Sequence, residues 1–114
     1  MYLVAVKNLI SRSKIESALR NMGIKGITII SEELEGMLDE HEDVKCIVAE
    51  LPYFNLNVLD SKIKGLIRRK EIRLIGYYPH SNPSLREAAI QAGFHDVYPN
   101  AAFFRDMRQI LASK

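Results

Sequence analysis

The chain has 114 residues, a formal net charge of +2, and 47% hydrophobic and 26% charged residues. A chain of this length can bury a core without disulfides or metal ions, so we expect one domain over residues 1–114. The small net charge is no argument for nucleic-acid binding, and the single cysteine cannot form a disulfide framework.

The amino terminus reaches Lys7 after one short apolar run and lacks the pattern of a secretory signal. No segment approaches the roughly 18 apolar residues of a membrane-spanning helix. We therefore expect a cytoplasmic protein without a membrane partner.

The first part of the chain predicts two strand and helix pairs. Residues 2–6 and 26–30 are short apolar runs typical of strands. Ser13 and Glu16 have the spacing of a capping box, which predicts a helix that Gly23 ends. Ser31 is expected to cap a second helix over residues 32–40. The inner face of the first helix is predicted to carry Ile15, Ala18, Leu19 and Met22.

The run over residues 44–52 is apolar until it ends in Glu50 and Pro52. Such a run predicts the central strand of a parallel sheet, buried on both faces, with Cys46 in the core. Glu50 then lies at the carboxyl end of the strand, where open α/β sheets place their ligand sites.

The second part of the chain continues the alternation. A third helix with a basic end at residues 68–70 precedes a strand over 72–78, and a proline-rich loop leads to a fourth helix over 84–92. Residues 95–99 predict a last strand, and Asn100 is expected to cap the final helix. The third helix is marked by Leu56, Leu59, Ile63, Leu66 and Ile67, and the final one by Phe103, Met107, Ile110 and Leu111.

Five strands alternating with five helices predict an α/β domain with a parallel sheet between two helical layers. Residues 74–80 (LIGYYPH) and 88–98 (AAIQAGFHDVY) resemble the second half of the receiver domain of response regulators. The resemblance covers the whole chain and implies a flavodoxin-like strand order of 2-1-3-4-5. The chain also resembles small stand-alone receiver-like proteins of unassigned function.

The resemblance implies where the phosphorylation site of a receiver would fall. That site uses two acids after the first strand to hold magnesium, an aspartate phosphoacceptor after the third, a hydroxyl after the fourth and a lysine after the fifth. The matching positions of this sequence are Lys7 and Asn8, Glu50, Gly76, and Asn100 or its neighbour Pro99. Four of the roles are unmatched or altered, so we expect neither magnesium nor another cofactor.

These positions favour a receiver-like regulatory or protein-interaction module that has lost its phosphorylation chemistry. Lys7 is expected either to pair with Glu50 in the vacated metal space or to leave Glu50 facing solvent. An atypical phosphoacceptor that uses Glu50 is the first alternative. A small enzyme that uses Glu50 and His80 is the second, since a histidine beside a carboxylate can transfer protons.

Other polar groups carry weaker signals. His41 and His95 lack the spacing of a metal site, and residues 11–14 are explained as a helix start rather than an anion site. An acidic flank over residues 32–43 and a basic flank over 62–73 are read as solvated helix faces or as a docking surface. Nucleic-acid binding is the lesser alternative because the basic flank has no interleaved aromatic residues.

The final helix carries two adjacent phenylalanines, which point about 100° apart, so both cannot face one core. Receivers often use their fourth and fifth helices for dimers or partners. The resemblance therefore implies an interaction surface of Tyr98, Phe104 and Arg105, used by a protein partner or by a second copy in a homodimer.

Overall fold

The structure, a computed structural model, describes residues 1–113. Five parallel strands form one sheet in the order β2-β1-β3-β4-β5, which confirms the predicted α/β fold class and strand order. The strands are β1 (Tyr2–Ala5), β2 (Gly26–Thr28), β3 (Cys46–Glu50), β4 (Arg73–Tyr78) and β5 (Asp96–Pro99).

Helices cover both faces of the sheet. One layer packs against the sheet through a core that includes Ile15, Phe103 and Leu111, and the other through a core that includes Leu38, Ile63 and Ala89. The first layer holds α1 (Leu9–Asn21), α5 (Asn100–Arg105) and α6 (Met107–Ala112). The second holds α2 (Leu34–Glu40), α3 (Ser61–Arg69) and α4 (Ser84–Ala92), with 3₁₀ turns at Ser31–Glu33 and Leu56–Val58. None of these helices is long and apolar enough to cross a bilayer within residues 1–113.

Strand β3 lies at the centre of the sheet, and all five of its residues are buried. Cys46 and Val48 join the core beneath α1, whereas Ile47 and Ala49 join the core on the opposite face. The prediction of a strand buried on both faces is confirmed. Burial raises the pKa of the Cys46 thiol to about 12, so the thiol stays protonated at neutral pH and serves as core.

The predicted start of the first helix was wrong. Helix α1 begins at Leu9, and the Asn8 side chain accepts a hydrogen bond from the Ser11 amide at 2.9 Å. Asparagine is a strong N-cap, so the helix starts before the predicted box. Ser13 therefore lies inside the helix, and Glu16 accepts a hydrogen bond from the Thr28 hydroxyl instead.

Three other helices differ from the prediction. Ser31 does not cap the second helix: it begins the 3₁₀ turn Ser31–Glu33, which Glu33 closes by accepting from the Ile30 amide, and α2 begins only at Leu34. Helix α3 begins only at Ser61, because the Asp60 carboxylate accepts from the Ile63 amide at 2.9 Å and caps it there. The single final helix is two helices that meet at Asp106. Asn100 is the first helical residue rather than the cap, and Pro99 precedes it.

Gly76 leaves room for a buried leucine. A Cβ atom at Gly76 would lie 2.9 Å from Leu51 Cδ2, and Leu51 is only 3% exposed. We predict that Gly76→Val lowers the free energy of unfolding by about 1–3 kcal/mol, since overpacking forces the core to shift. Urea denaturation followed by circular dichroism measures the effect.

Gly36→Ala is the matched control. A Cβ atom at Gly36 would meet no atom within 4 Å, and the residue lies in α2. This variant is expected to gain about 0.5–1 kcal/mol of stability through helix propensity. Equal stability of Gly76→Val and the unaltered protein would contradict the packing argument.

Candidate functional site

The carboxyl ends of the strands bring four of the predicted site positions to one edge of the sheet. Lys7 and Asn8 follow β1, Glu50 ends β3, and Asn100 follows β5. The strand order reverses between β1 and β3, which is where this class of sheet forms a crevice. The predicted positions thus share one edge.

Glu50 is held by the main chain at the start of α1. Its Oε1 atom accepts hydrogen bonds from the amides of Lys7 and Asn8, at 2.8 and 3.1 Å, and the residue is 9% exposed. Amides at a helix start carry a partial positive charge, so a carboxylate is stabilised there. The side chain therefore acts as an internal anion that ties the end of β3 to the start of α1.

Both expectations for the Glu50 side chain need correction. Its Oε1 atom is bound by main-chain amides rather than simply reaching solvent, and residues 1–113 contain no ion pair between the carboxylate and the Lys7 ammonium. Lys7 binds Glu50 through its main-chain amide. The Lys7 ammonium instead lies 5.2 Å from the centre of the Tyr53 ring, in a cation–π contact.

Tyr77 lies directly beside Glu50 in the sheet. The register of β3 and β4 pairs Glu50 with Tyr77 and Ala49 with Gly76. The residue opposite the acid is therefore Tyr77, whereas the resemblance pointed to Gly76. Gly76 instead borders Leu51, which belongs to the core beneath the other helical layer.

The Tyr77 side chain is buried in an aromatic stack. Its ring lies 4.7 Å from the ring centre of Phe103 and 5.2 Å from that of Phe104. Burial, and then the nearby Glu50 charge, raise the pKa of Tyr77. Ser11 is close enough to lower that pKa in part, yet the Tyr77 hydroxyl finds no partner of hydrogen-bond geometry in residues 1–113.

Asn100 adds a second buried polar atom without a partner. Its Oδ1 atom is buried and accepts no hydrogen bond from the described part of the chain. Asn100 lies one helical turn before Phe103, whose ring stacks on Tyr77. The edge therefore offers one carboxylate and two neutral oxygen atoms.

The histidines do not join this group. His80 is exposed, and its side chain makes no hydrogen bond with the residues that the structure describes. His95 accepts a hydrogen bond from the Leu74 amide through Nδ1 at 3.0 Å, near the opposite edge of the sheet. Across residues 1–113, no three His, Cys, Asp or Glu side chains are placed together to hold a metal ion.

The predicted interaction surface lies on the α1 side of the molecule. Phe104 is half-buried, and the Lys14 ammonium of α1 lies 5.6 Å from the centre of its ring. Tyr98 is half-buried in the same core, and Arg105 is exposed and pairs with Asp106 at 3.0 Å. The fourth helix packs against the opposite face of the sheet, and both α4 and α5 adjoin the edge strand β5.

Tyr77 and Tyr53 were not identified from the sequence. Both β3 and β4 are continuous apolar runs, and such runs fit each other equally well in neighbouring registers. Tyr53 follows the acid by three residues and lies in the turn after β3. A tyrosine at each of these strand ends is the only signal that the sequence offered.

Comparison with solved structures supports the fold alone. The crystal structure of NtrX from Brucella abortus in complex with ADP matches 96% of this chain with a TM-score of 0.68 and 15% identity. The match covers 28% of that longer chain. No family model and no curated protein matches the sequence. The strand order and this likeness define the fold as the flavodoxin-like fold that receivers also have.

We predict that Glu50→Ala lowers the free energy of unfolding by about 1–3 kcal/mol, because two amides lose a charged acceptor. Glu50→Gln retains an acceptor oxygen and is expected to lose less. Urea denaturation measures both variants, and amide exchange of Lys7 and Asn8 reports the bonds directly. Glu40→Ala, at the exposed end of α2, is the control. Equal loss in the Glu50 and Glu40 variants would mean that the two bonds contribute nothing.

Proposed function

We propose that this domain is a receiver-like regulatory or protein-interaction module that acts without phosphorylation and without magnesium. The observation that carries the proposal is the engagement of the Glu50 carboxylate by the amides of Lys7 and Asn8. An acid bound in this way already has its electrostatic partner within the protein. The proposal rests on the chemistry of that bond and on the side chains that surround it.

The receiver reaction needs groups that differ from those at this edge. A phosphoacceptor oxygen must be open to attack phosphorus, and magnesium needs several hard oxygen ligands. Here one oxygen of Glu50 accepts two hydrogen bonds, and the residues after β1 are Lys7 and Asn8 rather than acids. This arrangement favours one fixed state over a switch.

The two charged flanks largely face each other. Lys62 of α3 pairs with Glu35 of α2 at 2.6 Å, and Lys70 pairs with Glu42 at 3.5 Å. Exposed pairs contribute little to stability, but they reduce the charge that each flank presents to a partner. Residues 1–113 provide no ionic partner for Arg68 and Arg69. The flanks are therefore a weaker candidate for docking than the α1 side.

We propose Tyr98, Phe104 and Arg105 as a contact surface for a protein partner or for a second copy of the chain. Aromatic residues and arginine are enriched where proteins bind each other. Phe104 is half-buried and so keeps part of its ring accessible, while Arg105 is exposed beside it. The surface joins the aromatic stack that contains Tyr77, and this places it next to the Glu50 edge.

The proposed loss of phosphorylation predicts the response to magnesium and beryllofluoride, a mimic of the phosphoryl group. We expect the amide resonances of Lys7, Glu50, Tyr77 and Asn100 to keep their positions in a ¹H–¹⁵N spectrum. The physical reason is that Glu50 already has its partners and no second acid follows β1.

The Glu50→Gln variant is titrated in parallel as the control. Shifts around Glu50 in the unaltered protein that vanish in Glu50→Gln would contradict the proposal and establish an atypical phosphoacceptor. Shifts that persist in the variant would show weak ion binding away from Glu50 and leave the proposal intact.

The proposed contact surface predicts the effect of charge reversal. We expect Arg105→Glu to weaken self-association or partner binding by about tenfold, as for a charged contact worth about 1.4 kcal/mol. Sedimentation velocity over a range of concentrations measures self-association. Arg69→Glu, exposed at the end of α3 on the other face, is the matched control. Equal effects of the two reversals would reflect net charge and would exclude this surface.

A further inference from the structure

A cavity of about 410 Å³ opens beside the end of β1, and Glu50 is not among the residues that line it. It lies between the ends of β1 and β2 and the residues that follow β3, and its size suits a small organic molecule. Two large side chains on its walls are unusually exposed, Ile30 at 63% and Tyr53 at 59%. Because β1 lies between β2 and β3, these side chains flank the segment that carries Lys7.

The walls are suited to a flat apolar body. Ile30 and Tyr53 leave apolar surface in water, and covering that surface favours binding. The deeper lining includes the buried residues Val6, Ile29 and Phe54. A planar ring between Ile30 and Tyr53 would cover both side chains and stack on the tyrosine.

The charged side chains of the cavity that form no ion pair or hydrogen bond in the described residues are both cations. Arg12 lines the cavity and has no ionic partner in residues 1–113, and the Lys7 ammonium contacts only the Tyr53 ring. The two acids of the lining are already engaged. The Glu33 carboxylate accepts from the Ile30 amide at 2.8 Å. Glu32 accepts from the Ser31 hydroxyl and the Asn55 side chain at 3.1 and 3.2 Å.

These hydrogen bonds hold the Glu32 and Glu33 carboxylates against their neighbouring donors. The hydrogen bond from the Asn55 side chain, first among its causes, lowers the pKa of Glu32, so the acid stays ionised and bonded to its neighbours. A ligand cation would have to compete with these internal donors. A ligand anion would meet the Arg12 guanidinium and the Lys7 ammonium, which form no ion pair in the described residues, while the Glu32 and Glu33 carboxylates keep their charge and are bonded to neutral donors.

We infer that this cavity binds a small organic anion with a flat apolar body, whose carboxylate or phosphate group contacts Arg12 and Lys7 while its ring lies between Ile30 and Tyr53. The site is separate from the Glu50 carboxylate, which lies on the β3 side of β1. It therefore does not depend on the proposed loss of phosphorylation. A ligand here would contact the start of α1 and the segment after β3, which also hold Glu50.

Titration of the full chain with benzoate, phenyl phosphate and benzamide tests the inference. We expect the two anions to shift the amides of Lys7, Ile30, Ser31 and Tyr53 in a ¹H–¹⁵N spectrum. Benzamide has the same shape as benzoate without its charge and is expected to bind about tenfold more weakly, the difference typical of a charge-assisted hydrogen bond. The tighter of the two anions identifies the preferred acidic group.

Variants separate the charged contact from the apolar one. Arg12→Gln is expected to weaken benzoate binding about tenfold and to leave benzamide binding unchanged. Ile30→Ser is expected to weaken both. Arg20→Gln, exposed near the end of the same helix, is the matched control and is expected to change neither.

Three results would overturn the inference. The first is equal binding of benzoate and benzamide, which would make the cavity merely apolar. The second is shifts confined to residues outside the cavity, and the third is an Arg20→Gln effect as large as that of Arg12→Gln. Circular dichroism of each variant confirms that the fold is retained before binding is compared.

Discussion

The bond between the Glu50 carboxylate and two main-chain amides is the constraint on which this edge of the domain depends. It links the end of the central strand to the residues where β1 becomes α1. The acid satisfies amides that the helix itself cannot pair, and its charge suits the positive end of the helix. The crevice where such sheets bind ligands thus contains an anion that belongs to the protein itself. The Oε1 atom of that carboxylate is bound by the main chain.

The aromatic stack fixes the other side of the same edge. Tyr77 neighbours Glu50 in the sheet and packs on Phe103 and Phe104, so the end of β4 is joined to the helix after β5 by aromatic contacts. The stack leaves the Tyr77 hydroxyl and the Asn100 side-chain oxygen buried without partners in the described residues. Buried polar atoms of this kind normally bind a water molecule or take part in function. Both lie in the part of the fold that couples Glu50 to the proposed contact surface.

The fold was predictable because its signals are redundant. The alternation of apolar runs with helices predicts a parallel sheet between helical layers. The continuous apolar run that ends at Glu50 predicts a strand buried on both faces. The site was less predictable because each of its features depends on a single residue. Helix α1 begins after Asn8 and not at the predicted capping box of Ser13 and Glu16. Both sites have side chains that can cap a helix, and they lie within five residues of each other. The partner of Glu50 could not be read from the sequence, because a shift of one residue between two apolar strands exchanges Gly76 for Tyr77.

The end of β1 has two sides with different character. On the β3 side, the amides of Lys7 and Asn8 donate to the Glu50 carboxylate, so the anion bound there is a side chain of the protein. On the β2 side, the Glu32 and Glu33 carboxylates are held by neighbouring donors, while Arg12 stays open beside exposed apolar walls. Lys7 belongs to both sides, because its amide binds Glu50 and its ammonium lies on Tyr53. A fold carries whatever chemistry its strand ends present. Here the end of β3 holds a carboxylate bound by main-chain amides and a cavity opens beside it, and Lys7 is the residue through which occupancy of the cavity would reach the start of α1.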